Sequence, residues 1–401
     1  MEKIAIIGSV GYPSKYGGFE TLVHHLVEEL EDKVEFTIYC SAKVYPKETR
    51  VNTKPTVKLV YLPFNANGIQ SIIYDAFSML HALFQAKTFL VLGVSGCFLI
   101  PFIRLISSKK IVVNIDGMEW KRQKWNRLAR LFLKWGERMA VRWAHSVVTD
   151  NEAIKQYVMA EYGKNSERIE YGADHVKAVH PTSTDCISYP FLSNPYAFKV
   201  ARIEPENNIE MILKAFTKLK LNLVIVGNWN HSQYAKDLKR NYSNISNIFL
   251  LDPIYEQKKL DVLRSNCWLY IHGHSAGGTN PSLVEAMYLG LPIVAFDVIY
   301  NKETTEYKCD YFSDVQSLID TINSLSYYEL KYMGEKMAQI AHRRYTWDAI
   351  CSNYLRLFLA SKKSLIQSKK TRFIETEERK YLQKKNLCHL TNKHHYFEEL
   401  D

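Results

Sequence analysis

The chain has no Cys-x-x-Cys pair and no even set of cysteines. Its seven (Cys40, Cys97, Cys186, Cys267, Cys309, Cys351 and Cys388) lack metal-ligand spacing, which excludes a disulfide framework or a zinc site and indicates a reducing, cytosolic compartment. A basic-then-apolar leader is also missing, since Met1-Glu-Lys-Ile-Ala-Ile-Ile-Gly8 reads as a buried strand running into a glycine, so export is not expected. Long apolar runs are scarce. The best candidate, residues 89–106, carries Gly93, Gly96, Pro101 and Arg104 and barely reaches the roughly 20 apolar residues of a membrane span. It reads as a buried strand, a glycine turn and a core helix. No Gly-x-Gly-x-x-Gly follows the first strand, and Cys40-Ser41 stands where a dinucleotide site needs an acid, which argues against a dehydrogenase. No Asp-x-Asp metal motif occurs.

What is present is an ordinary globular composition, 47% hydrophobic and 23% charged over 401 residues, which rules out wholesale disorder and a polytopic membrane protein. That length exceeds what one core usually serves and suggests two or three units. Apolar runs at 3–7, 35–39, 58–62, 89–94, 111–115 and 146–149 alternate with helical patterns such as 19–30 and 69–85. Such alternation marks a parallel sheet covered on both faces. It lapses across a Pro/Ser/Thr/Asn-rich stretch and restarts at Tyr196. The expected organisation is a Rossmann-like domain over 1–175, a linker over 176–195, a second Rossmann-like domain over 196–345, a cross-over helix over 346–365 and a basic tail over 366–401. The fold class is therefore α/β, two doubly wound domains facing a cleft, with ligands at the carboxyl ends of the strands.

The formal charge is +10, and it is concentrated. Residues 120–142 hold eight bases, among them Lys121, Arg122, Lys124 and Arg127, against the single acid Glu137, interleaved with Trp120, Trp125 and Trp135. A basic, Trp-bearing amphipathic helix suits an anionic membrane surface, and the same pattern also describes a helix with a solvated charged face. No nucleic-acid motif accompanies the charge, so nucleic acid is not an expected partner.

Four segments carry candidate chemistry. After the first strand, Gly17, Gly18 and Glu20 open the first helix, where glycines bring backbone amides close to a phosphate. Asp116 and Glu119 end an apolar strand and suit acid-base work, binding of sugar hydroxyls, or capping of the basic helix, with both catalysis and capping expected of Asp116. Arg202 lies just beyond a strand and is placed to clamp a diphosphate, or to pair with Glu204 or Glu206. In His272 to Gly290, a Gly277-Gly278 turn precedes Thr279, Asn280 as cap and Pro281 in the first helical turn. Free amides from Thr279 through Ser282 to Leu283 would form an anion site, with Glu285 one turn in and within reach of a ribose diol.

Together these segments resemble the retaining glycosyltransferases of family 4, which have the two-domain GT-B fold. The YGGFE segment, Ile115 to Arg122, the Glu-Asn-Asn after Arg202, and HSAGGTNPSLVEAM resemble most the bacterial rhamnosyltransferases of capsule and cell-wall polysaccharide synthesis. The resemblance implies a nucleoside-diphosphate sugar as donor substrate, dTDP-L-rhamnose in particular, with no cofactor and no metal. It also implies a lipid-linked saccharide acceptor at the inner face of the plasma membrane, reached by a peripheral enzyme through the helix near 120–142. By resemblance Asp116 is catalytic; Gly17, Gly18, Arg202, Gly277, Gly278, Thr279, Asn280, Ser282, Leu283 and Glu285 bind donor; Glu20 and Glu119 bind acceptor. Two departures stand out. The first acid of the family's Glu-x7-Glu pair is Gly277 here, and the lysine expected after Arg202 is Asn207. Two other classes fit paired Rossmann-like domains: a nucleotide-sugar epimerase and a noncatalytic nucleotide-sugar-binding protein.

Overall fold

The computed structural model describes residues 1–14, 17–51, 54–122 and 125–368. The basic tail expected over 366–401 therefore lies almost wholly outside the described residues, as does Lys124. The chain divides into two compact units, residues 1–170 with 347–401, and residues 171–346.

In the first unit, β1 (Glu2–Ile7), β2 (Val34–Ser41), β3 (Val57–Leu62), β4 (Thr88–Leu92), β5 (Lys110–Asn114), β6 (Ser146–Thr149) and β7 (Glu167–Arg168) form an all-parallel sheet among the described residues. The order is β3-β2-β1-β4-β5-β6-β7. Its central strands are apolar throughout because both faces are covered; Ile4, Ile6, Phe89, Val91 and Val113 are fully buried. The helices are α1 (Gly18–Leu30), α2 (Gln70–Ala82), α3 (Ile100–Ile106), α4 (Arg127–Trp143) and α5 (Glu152–Tyr162). Right-handed crossovers put α2 to α5 on one face of the sheet and α1 on the other.

The second unit has β8 (Tyr196–Val200), β9 (Asn222–Val226), β10 (Ile248–Leu251), β11 (Leu269–His272), β12 (Ile293–Phe296) and β13 (Asp310–Phe312), all parallel, in the order β10-β9-β8-β11-β12-β13. Its helices are α6 (Ser183–Ser188), α7 (Ile209–Phe216), α8 (Gln233–Tyr242), α9 (Gln257–Ser265), α10 (Pro281–Tyr288), α11 (Ile299–Thr304), α12 (Val315–Ser324) and α13 (Tyr327–Arg344). The core on one face gathers Ile212, Phe216, Ile225, Trp229, Leu269 and Leu318.

Three expectations change. The stretch 176–195 is a packed part of the second unit: Lys177 N–H reaches Asp261 Oδ2 at 3.2 Å, and Asn266 Nδ2 donates to Val179 O at 2.7 Å. Its helix α6 is closed by a reciprocal Thr182–Asp185 capping box. The chain returns to the first unit as α14 (Trp347–Leu359) and α15 (Lys362–Ser368) in place of one continuous helix. There Trp347 stacks on His25 of α1 with ring centroids 4.0 Å apart. Finally, α3 is not a core helix: Phe102, Leu105 and Ile106 are exposed. Among the described residues, no helix is long and apolar enough to cross a membrane.

Candidate active site

At the carboxyl end of β1 the chain turns through a glycine-bearing loop into α1. Glu20 is buried in the first turn of α1 and its Oε1 accepts the Val10 N–H at 2.7 Å. Gly17, the residue before α1, sits at φ 133°, and a Cβ there would fall 2.0 Å from Glu20 Oε2. Glycine is thus required by the approach of the carboxylate as well as by the backbone. Glu20 braces this loop from within, and Gly18 is the first helical residue.

Beyond β5, Asp116 adopts φ 59°, the left-handed region that Asp and Asn tolerate best among residues with a side chain. Asn114 Oδ1 holds its N–H at 2.9 Å. Glu119 opens a short 3-10 turn, Glu119–Lys121, and Arg122 lies between the two acids, 2.8 Å from Glu119 Oε2 and 3.6 Å from Asp116 Oδ2. Trp125 Nε1 adds a hydrogen bond to Glu119 at 3.0 Å. Neither acid caps the basic helix. That helix starts only at Arg127, and Asn126 caps it by accepting the Ala129 N–H at 2.9 Å. A continuous helix from Trp120 is not formed, and Arg122, 12% exposed at its side chain, serves the acids.

Trp120 is anchored by the lone acid of the basic segment, to which no motif assigns a role. Glu137 is 1% exposed and accepts from Trp120 Nε1 at 3.0 Å, from Tyr157 OH and Tyr162 OH at 2.5 Å each, and from Lys134 at 3.2 Å. A buried carboxylate with this many donors is satisfied and rigid, so the loop bearing Asp116 and Glu119 is pinned to α4. As the lone acid among eight bases, Glu137 was visible as an oddity.

In the second unit the loops after β8 and β11 are stitched together. Ser275 donates both N–H and Oγ–H to Glu206 O at 2.8 and 2.9 Å, and Asn208 Nδ2 reaches Gly273 O at 2.8 Å. Asn207 donates Nδ2 to Arg202 O at 2.8 Å, leaving Oδ1 to accept from His274 Nδ1 at 2.9 Å. His274 therefore carries its proton on Nδ1. Arg202 is 43% exposed at its side chain, with Nε 3.7 Å from Glu204.

Gly277 has φ 108°, and a Cβ there would stand 3.4 Å from His274 Nε2. The turn continues through Gly278 and the buried Thr279 to Asn280, which caps α10. The amides expected to be free are partly spent. Asn280 Oδ1 takes Ser282 N–H at 3.0 Å and Ser282 Oγ–H at 2.7 Å, Asn280 O takes Leu283 N–H at 3.0 Å, and the Leu283 side chain is wholly buried. Leu283 is a core residue, and any anion contact falls to the 277–280 turn.

Glu285 is held by Arg264 at 2.6 Å and by His175 at 3.3 Å. Burial pushes its carboxyl up, but the Arg264 charge and the His175 hydrogen bond outweigh this and hold it below the usual range. No sequence spacing encodes either partner: Arg264 is a base in the last turn of α9, and His175 lies at the expected domain edge. Behind the loops, Lys199 of β8 is 1% exposed, and burial lowers its ammonium to about 7. His272 is buried too, with both ring nitrogens unpartnered; burial, Lys199 and His274 keep it neutral.

Residues 190–328 match the family model Glycosyl transferases group 1, and residues 1–174 match a domain of unknown function, DUF1972. No curated protein matches the sequence. Among solved structures, sucrose-phosphate synthase from Thermosynechococcus elongatus superposes with a TM-score of 0.76 at 16% identity, covering 90% of this chain and 100% of that one. HepE of Anabaena, solved with UDP-glucose, gives 0.67 at 14% identity over 89% and 98%. The UDP-forming trehalose-phosphate synthase from Burkholderia xenovorans gives 0.67 at 10% identity over 89% and 99%. The fold is GT-B, and with the match over the second unit it supports a GT-B glycosyltransferase.

Proposed function

We propose that the protein is a retaining glycosyltransferase that moves L-rhamnose from dTDP-L-rhamnose to a lipid-linked saccharide at the inner face of the plasma membrane, in bacterial surface polysaccharide synthesis. The observation that carries this reading is Gly277. Where the resembled enzymes place the first of two acids, this chain has a glycine in the left-handed region with the His274 imidazole against it. A deoxysugar with fewer hydroxyls needs fewer acidic contacts, and of that pair of acids this chain keeps only Glu285. The UDP-glucose bound in HepE supports a nucleotide-sugar donor for the second unit.

In this reading the 277–280 turn and Arg202 receive the diphosphate and Glu285 the ribose. The sugar C1–O bond to phosphate breaks as the acceptor oxygen bonds to C1 on the same face. The acceptor proton passes to the departing phosphate oxygen. Asp116 orients the acceptor or stabilises the positive ring, and charge on the leaving group is met by amides and Arg202 without a divalent cation. The test is a panel of nucleotide sugars against membrane-extracted lipid-linked saccharide, with and without EDTA, read by product mass. A mass gain of one deoxyhexose from dTDP-rhamnose alone, undiminished by EDTA, is expected. A hexose gain from another donor, or an EDTA block restored by magnesium, overturns the corresponding part.

A further inference from the structure

The helix α2 is apolar on its outer face, while its inner face mixes Tyr74, Met79 and Ala82 with polar residues. Its polar Ser71, Asp75 and Ser78 are buried, while Ile73, Phe77 and Leu80 are exposed, and the flanking Ile69 and Phe84 extend the same stripe at 74% and 85% exposure. The intervals are four, four, three and four residues, so all five lie on one helical face. Single exposed apolar residues are ordinary, whereas a whole solvent face of them is not.

The stripe has neighbours. Ile69 and Ile72 share a groove of about 270 Å³ with Leu128 and Phe132 of α4, and α3 packs beside α4 on the same side of the sheet. From α3 come the exposed Phe102, Leu105 and Ile106; from α4, Leu128, Leu131 and Trp135. Along α4 this outward line continues one and two turns further as the exposed Arg138 and Arg142. Apolar side chains thus give way along one line to guanidinium groups.

We propose that the outer face of α2, α3 and α4 inserts shallowly into an anionic lipid monolayer, the apolar stripe entering the acyl boundary while Arg138 and Arg142 meet the headgroups. Charge complementarity selects this occupant. A two-fold contact between copies of the chain sets against itself a patch whose named residues include no acid and leaves these arginines without a counter-charge, whereas anionic headgroups neutralise them. The inference rests on the reading that the acceptor is presented by a membrane. It shifts the contact from the bases near residue 120, where Arg122 is engaged by Asp116 and Glu119, to a face led by α2.

The test is flotation of the full chain with vesicles of phosphatidylglycerol and phosphatidylcholine in equal parts, and with phosphatidylcholine alone. Parent protein is expected to float with the anionic vesicles. Phe77→Ser with Phe84→Ser lowers partitioning roughly tenfold or more, and Arg138→Gln with Arg142→Gln removes the salt-sensitive share. Sedimentation velocity and donor calorimetry run on the same samples. Parent that fails to float, or a Phe77/Phe84 variant that floats like the parent, overturns the proposal; so does a parent dimer that this variant dissociates without any vesicle binding. Donor binding without flotation removes only the membrane face, and flotation without any nucleotide-sugar binding removes the enzymatic reading while keeping the face.

Discussion

Asn114 Oδ1 accepts the backbone N–H of Asp116 at 2.9 Å, and the same amide donates Nδ2 to Tyr354 OH at 2.9 Å. The returning helix α14 is thereby tied to the backbone of the one acid proposed to act on the sugar. Asn114 is 1% exposed, so Asn114→Leu strands two polar groups. It is expected to cost about 1–3 kcal/mol in chemical denaturation and to lower turnover with little change in donor affinity. Tyr354→Phe, which leaves the Asp116 contact intact, should cost less and retain turnover.

Glu137 permits a second test of the loop. Glu137→Gln replaces an acceptor with a group that is half donor, facing Trp120, Tyr157, Tyr162 and Lys134. A loss on the order of 3 kcal/mol is expected, as for breaking a buried charge network from one side. Trp120 fluorescence should shift as its indole loses its acceptor. A variant as stable as the parent, with unchanged emission, would show that the hub does not hold the loop.

Much of this architecture is written in local pattern and much of the site is not. Strands such as Ile4–Ile7 and Leu223–Val226 are continuous apolar runs, because both faces of a parallel sheet are covered. Two- and three-residue strands such as Glu167–Arg168 and Asp310–Phe312 leave no period to read. The caps of α5 and α8, Asn151 and Ser232, are helix-start residues that the strand–helix alternation does not pick out. The placement of Arg264 and His175 around Glu285 depends on packing far apart in sequence, and no spacing encodes it. Lys199 was legible in principle, being the sole charge in the apolar strand Tyr196–Val200.

Glu285, to which the proposal assigns the donor ribose, also bears on acid stability. Its carboxyl is held below the ordinary 4.5, so the folded state binds fewer protons than the unfolded chain as pH falls through this range. The stabilisation is complete above about 4.5 and is lost as pH drops through the folded value. Glu285→Gln should flatten the acid limb of the stability curve and weaken nucleotide-sugar binding by about 1.5–3 kcal/mol in calorimetry. Retained affinity would take the ribose contact away from Glu285, whatever the acid limb does.

Lys199 has the opposite chemistry and a different window. In the folded protein burial lowers its ammonium to about 7, against 10.5 when exposed. Between these values the unfolded chain holds the extra proton, so this residue makes stability rise with pH across that interval and contributes least below 7. Lys199→Met removes the dependence and should raise neutral-pH stability, on the order of 1 kcal/mol or more. Denaturation of parent and variant below and within the window reads the difference. A parent-minus-variant gap that does not change with pH would mean that Lys199 finds a counter-charge.

Asp116 is the sharpest test of mechanism. Its φ of 59° makes Asp116→Ala a poor probe, because alanine adds backbone strain to the loss of the carboxylate. Asp116→Asn keeps the left-handed tolerance and the size while removing the charge. The proposed mechanism sends the acceptor proton to the departing phosphate, so the carboxylate is not an obligatory base. The proposal assigns the donor to Arg202, the 277–280 turn and Glu285 of the second unit, none of which the substitution touches. Donor affinity should therefore stay within about threefold, while turnover falls on the order of 10²-fold, the scale of a positioned acid-base or electrostatic group. Because Arg122 stands 3.6 Å from Asp116 and 2.8 Å from Glu119, loss of one charge leaves the guanidinium paired and the loop folded. A folded Asp116→Asn protein that transfers sugar at the parental rate would confine Asp116 to the geometry of this turn and move the search to Glu119.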